Sequence, residues 1–126
     1  MVQVDISQLS AECNAWREQL RNFRDEFTTD ENKIRQVAGK SLSKEQLQEV
    51  EHLHNQFHIQ LINIHDLKHA IKTHEQKMNY DKNANKGMLH AETLAEHENL
   101  LDQYQTLDLT LQELRSEFDG FLSRAM

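Results

Sequence analysis

Hydrophobic side chains return every three or four residues along this chain, and they do so in three blocks. In the first, Ile6, Leu9, Cys13, Trp16, Leu20, Phe23, Phe27, Ile34 and Val37 alternate between the two spacings, with Asp30 as the one interruption. That rhythm places all of them on one face of a helix, as in the seam of a coiled coil. The run stops at Gly39, which the pattern predicts to be a left-handed cap.

The second block begins after Ser43, whose spacing to Gln46 predicts a capping box. Leu47, Val50, Phe57, Leu61, Ile64, Ile71 and Met78 carry the period onward, and Leu53 and Leu67 widen the face. This reading puts three polar residues, His54, Lys68 and Glu75, into the seam. The stretch "NYDKNANKG", residues 79–87, is long, polar and turn-rich, and is expected to be the second connection. In the third block Leu100, Tyr104, Leu107, Leu111, Leu114, Phe118 and Phe121 repeat the pattern. His97 extends it, Leu94 and Leu101 broaden it, and Gly120 falls in the final turns.

The chain therefore predicts helices over about residues 5–38, 43–79 and 87–124. Composition agrees: the 126 residues include no proline and only three glycines, the two residue types that most disfavour a helix interior. Short connections force neighbouring helices antiparallel. The expected fold class is all-α, a single domain spanning 1–126. Its architecture is an elongated up-down-up three-helix bundle with coiled-coil-like seams, ~50 Å long.

Charge narrows the partners. The formal net charge is −7, from 21 acidic and 14 basic residues. No lysine–arginine cluster is dense enough for the counterion release that nucleic-acid binding requires, so no nucleic acid is expected. No apolar run approaches the ~20 residues of a membrane span. The N-terminal "MVQVDISQL" lacks the pattern of a secretory signal, and a single cysteine fits a reducing compartment. The expectation is a cytoplasmic protein.

The unusual feature is histidine: six of the eight lie between residues 52 and 74. On a straight helix with His54 at zero, His65, His58 and His69 fall at about 20°, 40° and 60°, along one shoulder of the apolar face. His52 and His74 fall almost opposite, in solvent. His54–His58 and His65–His69 have the i,i+4 spacing that lets two imidazoles share a metal. Glu51-x-x-His54 has the spacing of a di-iron bundle element, but the third helix supplies no second such element. With turns centred near 41 and 83, His69 would lie level with His97, so His54, His58, His65, His69 and His97 are the metal candidates, zinc or iron the metals. The competing reading makes them amphipathic rim residues, and no cofactor is expected. If the rim holds them neutral, stability should fall on acidification and the column could act as a pH sensor.

The remaining chemistry is sparse. Cys13 reads as a buried small hydrophobe. Lys68 could pair with Glu98 or Asp102 across the bundle. The chain carries no Gly-rich phosphate loop, serine nucleophile elbow or Cys/His zinc signature. Ile59 and Ile62 fall outside the core face within one turn of each other, the mark of an interaction patch for a protein partner or a second copy, a homodimer. The functional expectation is a non-enzymatic interaction, scaffold or adaptor module. The alternatives are a metal-binding bundle using the histidine-rich helix and a pH-responsive regulator.

Overall fold

The computed structural model describes residues 2–125. Three helices account for almost all of them: α1 (Ile6–Ala38), α2 (Lys44–Ala84) and α3 (Ala91–Ala125). No helix is long and apolar enough to cross a membrane among the described residues. Helix α2 packs against both α1 and α3, as the all-α, up-down-up bundle requires.

The helix starts are set by local hydrogen bonds. The Asp5 carboxylate accepts from the Gln8 N–H to cap α1, and Ser43 and Gln46 form the full capping box of α2. Gly39 differs from its expected role. It caps α1 in the right-handed region, φ −77° and ψ −6°, and the chain leaves through a tight turn in which the Lys40 N–H donates to the Val37 carbonyl.

The second connection also differs. Helix α2 runs through residues 79–84, so the polar stretch contributes a further turn and a half of helix before the chain reverses at Asn85–His90. The reversal needs two consecutive left-handed residues, Lys86 (φ 55°) and Gly87 (φ 85°), and the second is glycine, which takes that conformation without strain. Asp81 then anchors the turn. Its buried carboxylate accepts the Thr93 hydroxyl at 2.8 Å and the His90 N–H at 3.3 Å. The N-terminal segment closes the same end: Val2 and Leu89 exchange both backbone hydrogen bonds, which accounts for two apolar residues, Val2 and Leu89, off the helical seams.

The core is a stack of seam residues from all three helices. Phe27, Phe57 and Phe118, one from each helix, form an edge-to-face layer with centroid separations of 4.8 and 5.2 Å, a geometry that aromatic quadrupoles favour. In α2 the buried positions are Val50, Leu53, Phe57, Gln60, Ile64, Leu67, Ile71, His74, Met78 and Asp81. The seam of α2 thus runs through Leu53, Gln60, Leu67, His74 and Asp81. His54, Leu61, Lys68 and Glu75, the expected members, are half-buried flank residues.

Two buried aspartates give opposite predictions. Asp30 sits in the α1 seam between Phe27 and Ile34, and burial pushes its carboxyl above the usual range. Its ionised form therefore costs stability at neutral pH, and Asp30→Leu is expected to stabilise the fold by about 1–2 kcal/mol, read by thermal melting at pH 7. Burial also acts to raise Asp81, but the bonds from Thr93 and His90 outweigh it and hold the carboxyl below its ordinary value. A depressed folded pKa contributes stability above the unfolded value, ~3.9, and loses it as pH falls. Asp81→Asn should melt lower at pH 7, by about 2 kcal/mol, and the gap to the parent should narrow between pH 5 and 3.

Candidate metal centre

One layer of the bundle brings metal-ligating side chains together from all three helices. Cys13 from α1, His74 from α2 and His97 from α3 are all buried, and one ligand atom from each lies within 4.8 Å of the other two. Cys13 and His97 occupy the seams of their helices, as their spacing in sequence implies. His74 is fully buried, not in solvent, and the reason is the helix period. A straight wheel advances 100° per residue and places His74 about 200° from His54. The buried positions of α2 repeat every 3.5 residues instead, and over twenty residues the difference moves His74 to about −100°, in line with Leu53 and Leu67.

The expected level of His97 is corrected by the longer α2. Because the turn lies near residues 85–90, His97 meets His74 instead of His69, five residues earlier. His58, His65 and His69 are exposed, His54 is half-buried, and none belongs to the cluster. His52, exposed as expected, pairs with Glu117 of α3 at 3.0 Å. Lys68 faces α1 and lines a cleft with Asn14, Arg17, Glu18 and Arg21.

Hydrogen bonds link the members of the cluster. Glu12 accepts from His97 Nε2–H at 2.8 Å. His97 Nδ1 meets His74 Nε2 at 3.0 Å, and in the tautomer that leaves His97 Nδ1 bare it accepts the Nε2–H of His74. Cys13 Sγ lies 3.9 Å from the same His97 Nδ1. This assignment leaves His74 Nδ1 buried with no partner among the described residues, and its nearest charged neighbour is Glu96 Oε1 at 3.9 Å. Lys77 holds Glu96 in place at 3.0 Å. Trp16 covers His97, with ring centroids 5.0 Å apart.

Electrostatics keep the Cys13 thiol and the His74 imidazole neutral. Burial, reinforced by Glu75 and Glu12, pushes the Cys13 thiol up to about 12. Burial and the neighbouring His97 hold His74 below its ordinary value. Beside the cluster, Arg17 meets Glu75 at 3.1 Å and spans α1 and α2.

The arrangement suits a cation. A tetrahedral zinc ion, with Zn–N of about 2.0–2.1 Å and Zn–S of about 2.3 Å, separates its nitrogen ligands by about 3.4 Å and nitrogen from sulfur by about 3.6 Å. The observed separations of 3.0 and 3.9 Å bracket these values. Both imidazoles also have a carboxylate behind them, Glu12 for His97 and Glu96 for His74, the outer-shell partner that metal-bound histidine usually has. Were His74 Nε2 to hold a metal, its proton would sit on Nδ1, on the side of Glu96, and the unpartnered nitrogen would have a role.

Comparisons of the chain with protein-family models, with curated proteins and with solved structures return no match. The cluster is therefore read from its own geometry. Since Cys13 is completely enclosed, alkylation of the native metal-free protein should be at least a hundredfold slower than in denaturant. Iodoacetamide labelling followed by mass spectrometry measures this, and rapid native labelling would contradict the packing described.

Proposed function

We propose that this protein is a metal-binding three-helix bundle in which Cys13, His74 and His97 hold a zinc-class divalent cation. The observation that carries this reading is the convergence, from all three helices, of a buried thiol and two buried imidazoles, each imidazole with a carboxylate on its far side. A buried polar layer that leaves His74 Nδ1 unsatisfied is costly for a bundle that could be built from leucine. A cation repays that cost by taking all three ligand atoms at once.

Thiolate and imidazole together favour zinc, cobalt or copper over magnesium or calcium. Binding displaces the thiol proton, since the metal takes the thiolate. Three protein ligands leave one position for water or an exogenous ligand. The ion would join all three helices at one level, so its first consequence is to staple the bundle. The histidine-rich face of α2 stays outside this role.

A second reading, an interaction module acting on a partner or a second copy, draws on Ile59 and Ile62, which are 45% and 49% exposed on α2. It requires no metal, which separates it from the first.

The decisive experiment is elemental analysis of tag-free protein purified without nickel, followed by zinc titration under thermal melting. At a hundredfold excess over Kd, zinc should add about 2.7 kcal/mol, roughly 8 °C in melting temperature. Cobalt should give thiolate charge-transfer absorption. Cys13→Ser and His74→Ala should abolish both responses while His69→Ala keeps them. An empty protein that melts cooperatively and ignores added metal would overturn the proposal and leave the interaction module standing.

A further inference from the structure

A cleft of about 400 Å³ opens between α1 and α2, lined by Asn14, Arg17, Glu18, Arg21 and Lys68. Three of those five side chains are cationic, on a chain whose net charge is −7. Arg17 and Arg21 are one helical turn apart on α1, a spacing at which like charges repel. Lys68 reaches the same cleft from the flank of the α2 seam, where it is half-buried. Elsewhere the bundle matches cations that approach a neighbouring helix with an acid: Arg115 meets Glu26, Arg124 meets Glu49 and Lys77 meets Glu96. In the cleft, neither Lys68 nor Arg21 has an acidic partner within ion-pair distance among the described residues.

Arg17 is the one cation already held. Its Nη2 donates to Asn14 Oδ1 at 2.6 Å, and Glu75 lies 3.1 Å from its Nε. The guanidinium is thus held by one hydrogen bond and by the charge of Glu75 beside it, and planar donors of that kind match phosphate oxygens. Glu18 is the single carboxylate in the lining, so the cleft keeps a positive balance. Burial and then the charges of Arg24 and Arg21 lower the ordinary proton affinity of Lys68, against a smaller pull from Asp25. The crowding is thus felt at the amine itself, and a bound anion would relieve it.

We infer that the Arg17–Arg21–Lys68 cleft is a binding site for a small, free phosphate-class anion. The ligand takes the Lys68 ammonium and Arg21 guanidinium as charge-assisted donors, and Arg17, oriented by Asn14 and Glu75, supplies the third. The site is separate from Cys13, His74 and His97 and stands whether or not those residues hold a metal.

The test is calorimetric titration of the metal-free protein, kept in chelator, with inorganic phosphate and with inorganic pyrophosphate. Saturable binding that weakens as sodium chloride rises is expected. Lys68→Gln and Arg21→Gln should each weaken it by about tenfold, while Arg35→Gln, on the far part of α1, should leave it unchanged. Because both cleft variants relieve like-charge crowding, their melting temperatures should equal or exceed that of the parent, which separates lost binding from lost fold. Absence of saturable binding for both anions would overturn the inference. So would binding that survives both cleft substitutions. Neither result bears on the metal centre, whose own titration is read separately.

Discussion

Everything in this molecule hangs on three hydrophobic stripes being brought to one axis and kept there. A straight α-helix cannot do this over forty residues, because its 3.6-residue turn drifts away from a seven-residue repeat by about 20° per heptad. The buried positions here nevertheless keep a seven-residue repeat, with Ile6, Phe27 and Ile34 on one column of α1 and Val50, Phe57 and Met78 on one column of α2. A position on that repeat is committed to the interior whatever residue occupies it. Asp30, Gln60, His74, Asp81, Thr93 and His97 are buried for that reason.

Those polar seam residues divide by how they are satisfied. Asp81 and Thr93 complete each other and close the second turn. Gln60 takes a local bond from Asn63. Asp30 makes no hydrogen bond among the described residues, and burial raises its pKa despite the charges of Lys33 and Arg115. Among the described residues, only the Cys13–His74–His97 layer draws on all three helices, and it leaves His74 Nδ1 unmatched. A polar layer in a coiled coil is a known device for fixing register. Here its elements are also ligands.

The helices and their faces were legible in the sequence because a period needs no knowledge of the partner. All of α1 and most of α3 can be read off the spacing, and the Ser43–Gln46 box marks a boundary. The polar layer was less legible, for two separable reasons. In α2 the three-four spacing around Phe57 and Ile64 admits two flanking columns, Leu61–Lys68–Glu75 and Gln60–Leu67–His74, and only the packing of the other helices selects the second. The level of His97 depended on where the chain reverses, and polar residues 79–84 gave a turn signal although they continue the helix. That five-residue extension exchanged His69 for His74. Cys13 was legible as buried, but a buried thiol in a seam says nothing of what will stand opposite. The convergence of Arg17, Arg21 and Lys68 was equally out of reach, since it needs the pairing of α1 with the flank of α2.

The backbone exchange between Val2 and Leu89 has a bearing on folding order. Most contacts in a helical hairpin are local and form early, but this bridge joins positions 87 residues apart (89 minus 2), and Cys13 and His97 lie 84 apart. Closing such long loops costs more chain entropy than docking α1 on α2 through their short turn. The end of the rod that carries the buried thiol and imidazoles is thus the last part to assemble and the first to loosen. A group sealed from solvent needs no permanent channel when its own end of the molecule opens by fraying.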